Sequence, residues 1–226
     1  MRWKSFALLC VLVVSAATAA DGQSPATAKL KPPFAPVAED AALPRVLLIG
    51  DSISIGYTEA VRELLAGKAN VQRAPTNCGP TISGLDSLDA WLGDRPWDVI
   101  HFNWGLHDLK FIGDERQVPL DQYEKNLRTL VATLKKTGAT LVWCSTTPVP
   151  EKSSPPRKNE DVLAYNAVAK TIMEEAKIAI DDLYGFALPQ IEKIQRPSNV
   201  HFTPEGSKVL AKQVAGSIEK ALGESK

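Results

Sequence analysis

Ser52 and two histidines, His107 and His201, each follow a predicted β-strand in this 226-residue sequence. A serine hydroxyl becomes a nucleophile when a base accepts its proton, and a neutral imidazole is the side chain that most often does so. Ser52 and His201 are far apart along the chain, so the fold has to bring them together. These residue types indicate nucleophilic catalysis by a serine that a histidine base activates.

The elements that must position these residues alternate between strand and helix. Strands are predicted at residues 45–50, 70–73, 97–102, 140–144 and 178–183, and helices at 58–65, 86–92, 121–136, 160–177 and after Thr203. This alternation predicts a three-layer α/β/α, flavodoxin-like sandwich with a central, mainly parallel sheet of about five strands. Ligands of such sheets bind at the carboxyl ends of the strands, where the serine and the two histidines are expected.

The first 20 residues differ in composition from the rest. Arg2 and Lys4 precede an apolar run at residues 6–14, and small residues follow at 17–19, which predicts a signal peptide over residues 1–20. The apolar run is too short to span a bilayer. We therefore expect export to the periplasm or the exterior, with no stable membrane insertion after cleavage. A Pro- and Ala-rich linker is predicted at 21–42, and a hydrolase-like domain at 43–226.

The overall composition excludes some classes of partner. The chain has 26 Lys and Arg against 26 Asp and Glu, so it lacks the basic surplus typical of nucleic-acid binding, and no nucleic-acid partner is expected. Two cysteines, Cys78 and Cys144, remain after removal of the predicted signal peptide. Their spacing indicates no metal site, and whether they form a disulfide stays open. No metal or other cofactor is expected.

The residues around Ser52 do not match the patterns of three other classes of protein. An α/β-hydrolase requires G-x-S-x-G, and Ser54 stands at the second glycine position. A metal-dependent hydrolase needs clustered ligands, and the whole sequence has three histidines, of which His101 is expected to be a core residue within a strand. A phosphate-binding loop would be richer in glycine than residues 50–56.

Four sequence blocks, taken together, resemble the SGNH or GDSL esterases. They are GDSI at residues 50–53, NCGPT at 77–81, GLHD at 105–108 and SNVHFT at 198–203, in the order that the family has them. The resemblance covers roughly residues 43–222. It implies the SGNH hydrolase fold and a serine esterase that acts on a small-molecule or glycan acyl ester.

The resemblance also assigns roles to residues by position. It implies that Ser52 is the nucleophile and that His201 is the general base. The backbone N–H groups of Ser52 and Gly79 would stabilise the oxyanion, with Gly84 as the alternative glycine. Asp51 and Asp108 are expected to support their loops through hydrogen bonds rather than to react.

Two positions depart from the family pattern. His107 replaces the asparagine whose side chain donates to the oxyanion; a neutral imidazole also has one N–H, and Asn103 is the other candidate donor. Ser198 replaces the acid three residues before the histidine. A backbone carbonyl or the amide oxygen of Asn199 is therefore expected to orient His201, and an aspartate introduced at position 198 is expected to raise turnover.

These residues favour an exported esterase that removes short acyl groups, acetyl first among them, from a carbohydrate. Trp104, close to the predicted site, is expected to be a core residue, with stacking on a sugar ring as the alternative. Two alternatives stay open: a non-catalytic carbohydrate-binding or scaffolding relative that has lost the triad acid, and a lysophospholipase or thioesterase of the same fold.

Overall fold

The computed structural model describes residue 30 and residues 32–224, so the predicted signal peptide lies outside the described residues. Seven strands are present in this part of the chain. They are β1 (Arg45–Ile49), β2 (Asn70–Arg73), β3 (Val99–Phe102), β4 (Phe111–Ile112), β5 (Glu115–Arg116), β6 (Thr140–Cys144) and β7 (Ala179–Asp181). Five of them form one parallel sheet in the order β2-β1-β3-β6-β7, and β4 and β5 form a short antiparallel hairpin.

Helices cover both faces of this sheet. They are α1 (Ser52–Leu64), α2 (Thr81–Leu92), α3 (Leu120–Lys135), α4 (Asn159–Ala176), α5 (Leu183–Ala187), α6 (Ile191–Ile194) and α7 (Pro204–Glu224), with a 3₁₀ turn at Leu188–Gln190. α1 packs against α7, whereas α2, α3 and α4 pack in series. The predicted three-layer sandwich is confirmed. In the described part of the chain, no helix is both long and apolar enough to cross a membrane.

The direction in which successive strands are added to the sheet reverses between β1 and β3. Without the hairpin, the order is the 2-1-3-4-5 arrangement of flavodoxin-like sheets, in which the ligand crevice lies at the carboxyl ends of β1 and β3. Ile49 at the end of β1 is paired with Phe102 at the end of β3. The loops that begin at Gly50 and at Asn103 therefore leave the sheet side by side.

Buried apolar side chains hold the sheet between the helices. Residues 46–49 of β1 are each at most 1% exposed, as expected for a strand covered on both faces. Trp104 and Trp143 are among the largest fully buried side chains. Cys78 and Cys144 are both buried and free, which settles the question of a disulfide between them.

Two helices begin earlier than the sequence pattern predicts. α1 begins at Ser52 rather than near residue 58, and α2 begins at Thr81 rather than near residue 86. The Asp51 carboxylate caps α1 by accepting a hydrogen bond from the Ile53 N–H at 2.8 Å. Apolar periodicity does not detect these first turns, because serine, threonine and glycine interrupt the apolar pattern there.

Part of the predicted linker lies along β2, the edge strand of the sheet. Within residues 34–40, the Val37 N–H donates to the Gln72 side-chain oxygen at 3.0 Å, and the Gln72 amide donates back to the Val37 carbonyl at 2.8 Å. The ring of Phe34 lies 5.3 Å from the guanidinium carbon of Arg73. The domain boundary at residue 43 stays a prediction, but residues 34–40 have specific partners on β2.

Candidate active site

The fold brings Ser52 and His201 into hydrogen-bonding contact. Ser52 is the first residue of α1, directly after the turn that follows β1, and His201 lies in the loop between α6 and α7. The Nε2 atom of His201 is 2.9 Å from the Ser52 Oγ. Both side chains are half-buried, so the pair is within reach of a substrate. A proton can pass between the hydroxyl and the imidazole at this distance.

The second ring nitrogen of His201 contacts Asn199. The Asn199 Oδ1 is 2.7 Å from His201 Nδ1, and it also accepts the backbone N–H of His201 at 2.9 Å. A backbone N–H can only donate, so the atom facing both groups is the amide oxygen. Nδ1 must then carry the ring proton, and the lone pair of Nε2 faces the Ser52 hydroxyl. This is the tautomer that a general base requires.

The loop that carries His201 is closed by its own backbone. The Arg196 N–H donates to the His201 carbonyl at 3.0 Å, and the Asn199 N–H donates to the Arg196 carbonyl at 3.2 Å. Ser198 lies at the turn of this loop with a φ of 53°, in the left-handed region. In the described residues, Asn199 and not Ser198 contacts the imidazole, so the orienting group lies two positions before the histidine.

Burial and nearby charges keep His201 neutral. Burial lowers the pKa of His201 from the usual 6.5, the Arg196 and Arg157 guanidinium groups lower it as well, and the Asp51 carboxylate opposes them. The neutral form is the one that accepts a proton. The imidazole is therefore ready to act as a base at neutral pH.

Two expected oxyanion donors differ in their availability. The Ser52 N–H lies at the first position of a 13-residue helix, where no intrahelical acceptor exists and the helix dipole favours negative charge. The Gly79 N–H already donates to the Asn77 side-chain oxygen at 3.0 Å. Gly79 can therefore serve an oxyanion only after the Asn77 side chain gives up this bond.

Gly84 and Asn103 have other structural partners. A Cβ atom at Gly84 would lie 2.9 Å from the Trp104 ring, so this glycine permits close packing of α2. The Asn103 amide nitrogen donates to the Cys144 carbonyl at 2.7 Å and to the Thr146 hydroxyl at 3.2 Å. Both amide hydrogens of Asn103 thus have acceptors at the end of β6, and its side chain connects the β3 and β6 loops.

His107 lies in the loop after β3 and is half-buried. Burial lowers its pKa; Lys110, Arg157 and His201 lower it further, and Asp51 acts in the opposite direction. His107 is thus close enough to His201 for one imidazole to influence the other. In the part of the chain that the structure describes, no hydrogen-bonding partner of the His107 ring is found. A neutral His107 has one N–H to offer to a substrate oxygen.

Asp51 and Asp108 support the loops around the site. Asp51 caps α1, and the Asp108 Oδ1 accepts hydrogen bonds from the Thr81 N–H at 2.9 Å and the Thr81 hydroxyl at 2.5 Å. Burial raises the pKa of Asp108 to about 7, although the Thr81 hydrogen bonds act in the opposite direction. Asp108 thereby ties the loop after β3 to the start of α2.

Arg73 is a supporting residue that the sequence analysis missed. It is 6% exposed and lies under the turn that carries the serine. Its guanidinium donates to two hydroxyls and three carbonyl oxygens, those of Ser54, Thr58, Gly50, Ala74 and Thr76. A charged residue in a predicted strand does not by itself indicate this role, because the direction of its side chain cannot be read from the sequence.

Two further expectations can be compared with the structure. Trp104 is 1% exposed, so it is a core residue as expected, and the alternative that it stacks on a substrate ring is wrong. His101 is confirmed as a core residue, with its Nε2 3.0 Å from the Asp181 Oδ2. His101, Asp181 and Cys144 have ligand-type atoms within 4.8 Å of one another. The histidine and the aspartate are already paired in the core, away from the groove, so this cluster holds β3, β6 and β7 together.

An open groove lies beside the Ser52–His201 pair. It has a volume of about 430 Å³ and is lined by the first turns of α1 and α7 and by the His201 loop. A second groove of about 660 Å³ lies between the loop after β6 and α6. Arg196 lines both grooves. A substrate bound at Ser52 can therefore continue past Arg196.

Comparisons with known proteins agree with this arrangement. A family model described as "GDSL-like Lipase/Acylhydrolase family" matches residues 48–209, which is more than half of the chain. No curated protein matches the sequence.

Several solved structures have the same fold. A lipase/acylhydrolase from Enterococcus faecalis has a TM-score of 0.69 and 18% identity, over 78% of this chain and 96% of that one. The acetyl xylan esterase AlAXEase has a TM-score of 0.64 and 16% identity, over 77% of this chain and 99% of that one. An acetyl xylan esterase from Geobacillus stearothermophilus has a TM-score of 0.64 and 18% identity, over 77% of this chain and 94% of that one.

Proposed function

The chain belongs to the GDSL-like lipase/acylhydrolase family of ester hydrolases, and we propose that it is an exported serine esterase that removes short acyl groups, acetyl first among them. The observation that carries the proposal is the 2.9 Å contact between His201 Nε2 and Ser52 Oγ. Export rests on the signal-peptide pattern of residues 1–20.

In the proposed reaction, His201 Nε2 takes the hydroxyl proton while the Ser52 Oγ attacks the ester carbonyl carbon. The tetrahedral oxyanion is stabilised by the Ser52 N–H at the start of α1 and by the His107 N–H, with Gly79 as a third donor if Asn77 moves. The protonated His201 then gives its proton to the departing alcohol, which leaves an acyl-Ser52 ester. Water, deprotonated by His201, hydrolyses this ester and releases the acid.

Asn199 takes the place of a triad acid in this scheme. Exchanging the triad aspartate for asparagine costs about 10⁴-fold in serine proteases, because the imidazole adopts the wrong tautomer. Here the backbone N–H of His201 holds the amide oxygen of Asn199 toward Nδ1, so the correct tautomer is kept. What is lost is only the negative charge that would stabilise the imidazolium. We therefore propose a working Ser-His-Asn site.

A carbohydrate ester is the proposed substrate. Two of the structural neighbours are described as acetyl xylan esterases, and the groove beside Ser52 is open enough for the alcohol part of a sugar ester to extend beyond the reacting bond. The buried Trp104 gives this proposal no support. Lysophospholipase or thioesterase activity is the alternative within the same fold.

Two observations favour a non-catalytic carbohydrate-binding protein as the second candidate. The family acid position holds Ser198, and the Gly79 N–H is already bonded to Asn77. Such a protein would keep the groove and the Ser52–His201 contact but would not form an acyl-enzyme.

The test is hydrolysis of 4-nitrophenyl esters of increasing acyl length and of acetylated xylan, together with covalent labelling by a fluorophosphonate. We expect turnover to be highest with acetate and the label to be attached at Ser52. Ser52→Ala should lose both by at least about a thousandfold, whereas Ser87→Ala, a half-buried serine of α2, should keep both. Equal hydrolysis by Ser52→Ala would refute the proposed nucleophile. Absence of both turnover and label in the parent protein would favour the binding protein.

A further inference from the structure

Arg196 is a cation without an anionic partner at the edge of the active-site groove. Its side chain is exposed, and its Nε donates to the Phe202 carbonyl at 3.0 Å. Among the described residues, the arginines paired with carboxylates, such as Arg45 and Arg116, lie elsewhere, and no carboxylate is within ion-pair distance of Arg196. The terminal nitrogens of Arg196 thus have donors to offer in the groove.

The position of Arg196 is fixed relative to the proposed base. Its backbone N–H donates to the His201 carbonyl at 3.0 Å, and its carbonyl accepts from the Asn199 N–H at 3.2 Å. The guanidinium is therefore anchored at both its backbone and its Nε, on the same loop as the imidazole. A group bound by Arg196 would lie at a defined distance from the reacting ester.

The charges around the groove favour an anion on the His201 side of Arg196. In the described part of the chain, the lining of the Ser52 groove contains one cation, Arg196, and no carboxylate. The second groove, in contrast, has Glu151 and Glu192 in its lining. Asp51 is not part of this lining; its carboxylate caps α1 and opposes the guanidinium groups in their effect on His201.

A second guanidinium, that of Arg157, also acts on His201, against the Asp51 carboxylate. Arg157 is 6% exposed, and its Nε donates to the Leu106 carbonyl at 2.8 Å, next to His107 in the chain. Both Arg157 and Arg196 lower the pKa of His201, so both charges act on the catalytic pair. No ion pair with a carboxylate is found for Arg157 in the described residues.

From this geometry we propose that the alcohol part of the substrate bears an anionic group, a carboxylate or a sulfate, which Arg196 binds beside the reacting ester. The inference rests on the proposed esterase function and names its substrate class: acyl esters of acidic sugars. A guanidinium matches the two oxygens of either anion. The acyl group itself need not be charged.

The test uses pairs of substrates that differ only in charge. The first pair is an acetylated methyl glucuronoside and its methyl ester, and the second is an acetylated methyl galactoside with and without a sulfate group. We expect the parent protein to have a kcat/KM about fivefold higher for the charged member of at least one pair, mainly through KM, with the preference weakening at high salt. The pair that shows the preference identifies the anion as carboxylate or sulfate.

Arg196→Gln should abolish this preference and bring the ratio of the two kcat/KM values to about one. Lys193→Gln is the matched control, because it removes an exposed cation of α6 that lines neither groove. It should keep the preference of the parent. Equal kcat/KM for both members of both pairs in the parent, with 4-nitrophenyl acetate still hydrolysed, would overturn the inference and leave the esterase proposal standing.

A binding measurement separates this inference from the esterase proposal. Calorimetric titration of Ser52→Ala with the charged and neutral esters detects recognition without turnover. Tighter binding of the charged ester that is lost in Ser52→Ala/Arg196→Gln would support the role of Arg196 even if the parent hydrolyses nothing. Equal binding of the two esters would reject it.

Discussion

The side-chain oxygen of Asn199 accepts two hydrogen bonds from His201, one from its backbone N–H and one from its Nδ1–H. The first bond determines which end of the amide faces the ring, and the second determines which ring nitrogen is left to accept the serine proton. A neutral side chain thus performs the orienting function of a triad acid, without the charge of an acid.

Substitutions at Asn199 should separate two effects on His201: the orientation of its ring and the stabilisation of its charged form. Asn199→Leu removes the acceptor, and we expect kcat for 4-nitrophenyl acetate to fall by about 10- to 100-fold, or about 1.4–2.7 kcal/mol. Asn199→Asp keeps the acceptor and adds a charge that stabilises the imidazolium, so kcat should rise by up to about tenfold. Steady-state kinetics measures both. A rate for Asn199→Leu equal to that of the parent would show that the imidazole is oriented by another group.

Ser198→Asp is the matched comparison. The sequence alone predicts a gain from this change, but Nδ1 of His201 already has Asn199 as its partner, so we now expect a change of less than about twofold. The left-handed backbone at position 198 is tolerated by aspartate. A large gain would mean that the loop rearranges to present the new carboxylate to the imidazole.

The pH dependence of kcat/KM should follow the fraction of His201 that is neutral. Because burial and two guanidinium groups lower the pKa of His201 against the opposing Asp51 carboxylate, the midpoint of the acid limb should lie below pH 6.5 and activity should be near its maximum at neutral pH. Asn199→Asp places a carboxylate next to the ring, raises the pKa of His201 and moves the fall to higher pH. The measurement is kcat/KM from pH 4.5 to 8.5. A midpoint of the parent clearly above 6.5 would contradict this account.

His107 should contribute to oxyanion stabilisation. We expect His107→Ala to lower kcat by about 10- to 100-fold, with a smaller effect on KM, because the interaction is made chiefly in the transition state. His107→Asn, which restores a side-chain N–H donor of the kind that the family uses, should recover a large part of the loss. Thermal unfolding of both variants checks the fold. A kcat of His107→Ala within about twofold of the parent would remove His107 from the oxyanion hole.

The buried Asp108 should make stability fall as pH rises. Its pKa of about 7 lies above the usual 3.8, so between these values the native state keeps a proton that the unfolded chain has lost. The free energy of unfolding therefore decreases with pH across this window. Asp108→Asn cannot ionise, so its stability relative to the parent should improve by about 3–4 kcal/mol between pH 4 and pH 7.5.

Urea unfolding at several pH values measures this difference, and comparison with the parent cancels the titration of other groups. Asp121→Asn, which changes a mostly exposed aspartate, is the control and should show a much smaller dependence. If the difference between Asp108→Asn and the parent is independent of pH, the native state does not retain the Asp108 proton.

Much of the fold is visible in the sequence because parallel strands are continuous apolar runs. The strands at residues 45–50 and 140–144 are predicted within one residue, since their burial on both faces leaves a clear apolar pattern. The hairpin at residues 111–116 was missed because its two-residue strands have no periodicity. Helix starts were missed where polar residues make the first turn.

The candidate site was predictable in part for a similar reason. Ser52 and His201 follow from sequence blocks, and Asn199 follows from the absence of a local acid. Arg73 and Arg196 do not, because an arginine in a strand or a loop has the same one-dimensional signature whether it supports a turn, lines a groove or faces solvent. The hydrogen bond that Asn77 accepts and those that Asn103 donates likewise depend on loop geometry that only three-dimensional coordinates provide.

The contacts between residues 34–40 and β2 have a consequence for where the chain can be shortened. A truncation that begins at residue 43 would strip Phe34 from Arg73 and Val37 from Gln72, and would uncover the edge strand of the sheet. Bare edge strands pair with other chains and promote aggregation. Recombinant protein should therefore start upstream of Phe34, because residues 34–40 also protect the exposed edge of β2 from pairing with other chains.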